Sequence, residues 1–386
     1  YFVVHRVRAL DEITFPDIVA NITGREWARP VTAVPLLANA WIYLIMQLVG
    51  ASLLVTTITG VPYKYMIWVI GFVFIVYTVL GGMVSVAWTD LLQGTVMVAT
   101  VLAALVYMTV TQGGLTAINT EFATMGTGNV APLGAGAYTL IGLVGSLIAF
   151  FGTIFTGQNY IIRINATRDI KTAKFHLAAS GVILSVFYAA LVLLGGATTV
   201  ALNGSGLGVD NVDKAFPVLI TEYLPTGVGI VIILAVMSAI LSTTDTRLHS
   251  AGITTAHDLY SYFRPNASDE KLLSVSRLST IFWGFTATAV AMNPPGTIIT
   301  LYEFRAILLT SAFLIPIYVA LYWRGLSGRA IVSSIIGGTI MGVGWELGGP
   351  FFGIPSVLIG IGAALICIVV GHYVWQDEST PRADPV

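Results

Sequence analysis

Ten apolar runs of about 17–28 residues leave this chain one natural solvent, a bilayer whose hydrocarbon core takes about 20 helical residues to cross. They fall near 31–57, 65–82, 89–112, 137–162, 175–202, 225–246, 274–292, 297–323, 330–347 and 354–375. Lipid offers no hydrogen bonds, so runs of this length and composition predict helices, which satisfy their own backbone. Turn formers sit in the gaps, at Gly60-Val61-Pro62, Gly81-Gly82, Asn293-Pro294-Pro295-Gly296 and Gly348-Gly349-Pro350. The predicted class is an all-α polytopic membrane helix bundle with about ten transmembrane helices.

Composition agrees with that environment. Only 10% of the 386 residues are charged and 56% are hydrophobic, whereas soluble domains carry about 25% charge. The net charge of −1 gives no reason to expect a nucleic-acid partner; the lipid bilayer is the first partner. A single cysteine, Cys367, rules out an intrachain disulfide, and neither CxxC, HExxH nor a phosphate-binding glycine loop is present. No nucleophile–base pair converges anywhere, so an enzyme is not expected.

The basic residues set an orientation. Fifteen of the 18 Lys and Arg fall in loops and helix ends on the side of residues 1–30, against Lys64 and Lys214 opposite and Arg305 inside a run. Positively charged loops stay in the cytoplasm, so both chain ends are expected there, in a multi-pass protein of the plasma (inner) membrane.

Polar residues inside such a bundle have to satisfy one another, water or an ion. The densest group closes the sixth run: Ser238, Ser242, Thr243, Thr244, Asp245 and Thr246. Ser242, Thr243, Asp245 and Thr246 lie within about one helical turn, with the Ala239 carbonyl close by. Hydroxyl, carbonyl and carboxylate oxygens are the donors that hard cations prefer. An alkali-cation site is one reading; hydroxyls bonded back to the preceding turn, with Asp245 paired to Arg247, is the other. Asp90, in Trp88-Thr89-Asp90, reads as a cation ligand or as a carboxylate capping the third run. Gly152 and Gly157 bracket Thr153, Phe155 and Thr156, with Gln158 and Asn159 following, a polar interruption of the kind that broken transport helices use around a solute. Tyr43 and Gln47, four apart, share a helix face that looks inward. Glu303 and Arg305, two apart, point to different faces, and a loop position or an outer-gate contact is favoured over ligand binding.

Four motifs in order and spacing resemble the sodium/solute symporter family: Ile13-Thr14-Phe15-Pro16-Asp17, Leu80-Gly81-Gly82 through Trp88-Thr89-Asp90, Gly157-Gln158 through Arg163, and Ser242-Thr243-Thr244-Asp245-Thr246. The resemblance runs from residue 8 to about 345 and lies nearer to bacterial proline, pantothenate and monocarboxylate carriers than to sugar carriers. It implies a LeuT-like core of two inverted five-helix repeats. Residues 1–30 would be a cytoplasmic loop, 31–112 the last three helices of repeat one, and 137–323 the five helices of repeat two. Residues 324–376 would form two accessory helices and 377–386 a cytoplasmic tail. Three N-terminal helices of the family plan have no counterpart here. If they are truly absent, half of each binding site is gone and this fragment would not transport; with them in place transport is expected.

The same resemblance implies Na⁺ as coupling ion, held by Ala239, Ser242 and Thr243, with Asp245, Thr246 and Asp90 serving a second ion or its release. Tyr43, Gln47, Phe151, Thr153, Phe155, Gln158 and Asn159 would line the cavity of a small polar or carboxylated solute such as an amino acid, a monocarboxylate or a pantothenate-like acid. A phenylalanine at 151, where the proline carriers have tryptophan, argues against proline itself. A proton-coupled symporter and a transporter-like sensor domain are the rival functions. The residues select no single solute, ion count or subunit number.

Overall fold

Helix is the only regular structure among the described residues of the computed structural model. These are 14–80, 86–126, 128–131, 133–134, 139–157, 167, 169–204, 211–323 and 325–375, without the side chains of 86–90. In chain order the main helices are α1 (Phe15–Thr23), α2 (Ala28–Thr59), α3 (Tyr63–Leu80), α4 (Val86–Thr111), α5 (Leu115–Thr124) and α6 (Leu140–Thr156). There follow α7 (Ile170–Gly204), α8 (Thr226–Ile253), α9 (Asp269–Ala291), α10 (Ile298–Tyr322), α11 (Gly328–Leu347) and α12 (Ser356–Val374). Past Ile253, α8 widens into a π-helical stretch at Thr254–Tyr260 and ends at Phe263.

The ten predicted runs correspond to α2, α3, α4 and α6–α12. Among the described residues eight of them are long and apolar enough to cross a membrane. The exceptions have plain causes. α6 has 17 residues in its described part, and α9 carries charges at Asp269, Glu270, Lys271 and Arg277 and Ser and Thr along its length, which leave it too polar throughout.

The stretch 1–30, expected as a loop, contains α1. Its start is built from the sequence Thr14-Phe15-Pro16-Asp17. The Thr14 hydroxyl accepts the Asp17 N–H at 3.1 Å, proline sits in the first turn where no N–H is needed, and Asp17 complements the helix dipole. Gly24, at φ 63°, ends it in the left-handed conformation that glycine takes without strain. Phe15, Ile18, Val19 and Ile22 are buried against Leu309, Phe313 and Ile317 of α10 and Ile331 and Ile335 of α11. Phe15 meets Phe313 edge-on at 5.1 Å.

α10 is the hub of the bundle. It contributes to three separate apolar clusters, and 67% of its most apolar stretch is buried, the largest share among the eight spans. α6 approaches it through Gly152, where an added Cβ would lie 2.3 Å from the Thr310 side chain. Thr310 in turn donates to the Ala149 carbonyl at 3.0 Å. Small residues that let backbones meet, with a hydroxyl bridging them, are how membrane helices associate. Gly152→Leu is therefore expected to force α6 off α10 at a cost of about 1–3 kcal/mol, read as a melting temperature several degrees lower in detergent.

Candidate functional site

α2, α8 and α10 converge, and the polar residues they carry meet where they cross. On α8 the hydroxyls of the Ser242 group are bonded along their own helix. Thr243 donates to the Ala239 carbonyl at 2.8 Å, Thr244 to Ile240 at 2.7 Å, and Thr246 to Ser242 at 3.1 Å. Ser242, Thr243, Asp245 and Thr246 are half-buried, whereas Thr244 is fully buried. The back-bonded arrangement foreseen for these hydroxyls is thus present. It also sets the hydroxyl oxygen of Thr243 beside the carbonyl oxygen of Ala239, on a face left partly open. Two oxygens at that separation lie within reach of one small cation, whose bonds to oxygen run about 2.3–2.6 Å for hard ions of similar size. The side chain of Asp90 lies outside the described residues, as do Gln158 and Asn159.

Tyr43 of α2 is the meeting point of two cations. The Arg247 guanidinium of α8 stands 4.8 Å from its ring centre and that of Arg305 on α10 stands 4.9 Å away. Arg305 is also 4.7 Å from the ring of Tyr302, and its Nε donates to Asn39 Oδ1 at 3.0 Å. The expectation for Arg305 is corrected here. Thr297 caps α10 by accepting the Thr300 N–H, so Arg305 lies two turns inside the helix, only 5% exposed. Glu303 points elsewhere, as its spacing requires, and accepts from Ser146 of α6 at 3.4 Å. Gln47, one turn beyond Tyr43, is half-buried.

Phe151 and Phe155 are exposed, at 57% and 46%, and Phe155 meets Tyr318 edge-on. Phe150 faces inward instead, stacked on Tyr302 at 5.3 Å, and Thr153 is buried and donates to its carbonyl at 2.7 Å. The buried face of α6 runs Gly145, Ala149, Gly152, Thr153, Thr156, and consecutive residues on a helix are 100° apart. Phe150→Ala should therefore lower both the melting temperature and solute affinity, whereas Phe151→Ala should change neither appreciably; ligand-dependent melting curves of the two variants check this.

A second polar cluster, missed from the sequence, ties α1 to the far end of α8. Asp17, His257 and Asp258 offer ligand-type atoms all within 4.8 Å of one another. Asp17 is bound by Arg29 at 2.6 Å and by His257 Nε2 at 3.2 Å, while Thr14 donates to Asp258 Oδ1 at 3.1 Å. Burial pushes the Asp17 carboxyl up, but the hydrogen bond from His257, the neighbouring Thr14 hydroxyl and the charge of Arg29 outweigh it and hold it at about 2. Asp17 and His257 stand 240 residues apart in sequence, so only the Thr14-to-Asp17 capping pattern was there to be read.

The helices form a polytopic membrane bundle with oxygen-rich side chains on α8 and two arginines on Tyr43. The sodium:solute symporter family matches residues 1–338, and the chain belongs to that family. It is 25% identical to the high-affinity proline transporter of Bacillus subtilis over 98% of this chain and 80% of the relative. It is also 25% identical to the sodium/pantothenate symporter of Haemophilus influenzae, over 95% and 75% of the two chains. A sodium/proline symporter of Staphylococcus aureus matches at 25% over 99% and 77%. Among solved structures, a Na⁺-coupled sialic acid symporter in its substrate-bound outward-open state superposes with a TM-score of 0.71 at 18% identity, over 100% of this chain and 84% of the other. That likeness carries the fold.

Proposed function

We propose that this symporter couples Na⁺ entry to uptake of a small polar or carboxylated solute by alternating access. Na⁺ sits on the open face of α8, with oxygens from Ala239, Ser242 and Thr243 and further ligands from Asp245, Thr246 and Asp90. The solute lies against Tyr43 and Gln47 of α2, Thr153 of α6 and the amide pair Gln158 and Asn159. The observation that carries the reading is the Thr243 hydroxyl 2.8 Å from the Ala239 carbonyl, half-buried within a membrane span. Relatives that include sodium/proline and sodium/pantothenate symporters support the ion and the solute class.

Coupling needs only that ion and solute stabilise the same state, in which case each raises the other's affinity by one shared factor. α8 and α2 meet through Arg247 on Tyr43, so an ion that orders α8 also orders the solute-facing residue of α2. In this reading both ends of the chain lie in the cytoplasm of a plasma-membrane protein, supported by the basic loops. The two inverted repeats are assigned to 31–112 and 137–323. Proteoliposomes offered labelled L-proline, pantothenate and pyruvate under an inward Na⁺ gradient, with choline and an inward proton gradient as alternatives, test the reading. Accumulation of one of them that follows the Na⁺ gradient is expected; accumulation that follows only the proton gradient overturns Na⁺ coupling.

A further inference from the structure

Arg305 is a charge that the sodium site leaves unused. It is buried two turns inside a membrane span, and among the described residues no carboxylate forms an ion pair with it. A guanidinium carries five N–H donors in a planar fork, and the Asn39 amide oxygen takes only the one on Nε. The rings of Tyr43 and Tyr302 stabilise the cation through their faces but accept no bond in the guanidinium plane. Glu303, the nearest acid along the helix, turns away to Ser146. A buried cation in lipid is costly and persists where it meets an anion or a pathway. The fork geometry matches a carboxylate held by two parallel bonds.

We propose that Arg305, steadied by Asn39 and flanked by Tyr43 and Tyr302, binds the carboxylate of the transported solute, which makes small organic acids and zwitterions the substrate class. The inference rests on the symporter reading above. Arg305 is then the specificity-determining residue. Asn39 is a positioning residue that keeps Nε engaged while the outer nitrogens stay available to the solute. Tyr302, stacked on Phe150, relays solute contact to α6, and Tyr43 relays it to Arg247 on the sodium helix.

The test uses the purified full chain in NaCl, with melting temperature read against pyruvate, L-proline and pantothenate. Each is paired with its carboxylate-free counterpart, namely pyruvamide, L-prolinamide and panthenol. At least one carboxylate is expected to stabilise the protein where its counterpart does not, and Arg305→Gln should weaken that response at least roughly tenfold. Asn39→Asp supplies a fixed carboxylate beside Arg305. That variant should melt at or above the wild-type temperature yet lose the carboxylate response, which a merely structural Arg305 would not produce. An undiminished response in Asn39→Asp or in Arg305→Gln, or equal binding of the counterparts, overturns the assignment. A protein stabilised by Na⁺ over choline but by no carboxylate overturns it alone; one stabilised by neither overturns the symporter reading with it.

Discussion

Asp17→Ala is expected to cost this protein about 2–3 kcal/mol, because it removes a buried carboxylate that pairs with Arg29 and His257. The purified protein should melt roughly 2–4 °C lower. The loss is local in origin: α1 is held to the end of α8 by this cluster and to α10 and α11 by Phe15, Ile18, Val19 and Ile22. Hydrogen exchange should therefore accelerate first over residues 15–23. The milder Asp17→Asn separates charge from shape. The Asp17 carboxyl falls from 3.8 to about 2 on folding, so its charge stabilises the fold above pH 4 and that contribution fades as pH drops toward 2. By linkage it is worth about 2 kcal/mol. The melting difference between wild type and Asp17→Asn should be present at pH 5 and shrink below pH 4. A difference that stays constant down to pH 3 would show that the charge of Asp17 contributes nothing.

Ser242→Ala/Thr243→Ala should abolish sodium-driven accumulation while leaving the fold intact. Each lost ion–oxygen contact is comparable to a charged hydrogen bond, worth at least ~1.4 kcal/mol, so Na⁺ half-activation should weaken roughly 100-fold or more. Stability in choline should change little. Among the described residues Thr243 bonds only to its own helix, at the Ala239 carbonyl, and hydroxyls bonded back one turn add nothing to helix stability. Transport lost together with several degrees of melting temperature in choline would make the pair structural instead.

How much of this was readable beforehand depends on what each feature required. The spans were legible because a helix crossing lipid needs a long apolar run; all ten runs fall on helices, eight of them long and apolar enough to cross among the described residues. The Ser242 group was legible because oxygen-rich residues inside such a run are conspicuous. α1 escaped because nine residues carry no bilayer-length signal, although Thr14, Pro16 and Asp17 form a readable start signal. That Phe150 stacks on Tyr302 was not legible because α6 is apolar on nearly every side, and then composition says nothing about its rotation. Arg305 looked like a loop residue only because the start of α10 was unknown; with Thr297 as cap it lies inside the helix. The contacts of Asp17 with His257 and of Asn39 with Arg305 join residues 240 and 266 apart in sequence, distances no local pattern spans.

The most direct test of sodium at α8 is the melting temperature of the purified protein in NaCl against choline chloride at equal ionic strength, for wild type and for Ser242→Ala/Thr243→Ala. A rise specific to Na⁺ in the wild type, absent from the double variant, is the predicted result. Identical curves in the two salts, or a Na⁺-dependent rise that survives the double change, would contradict it and return these hydroxyls to the packing of α8.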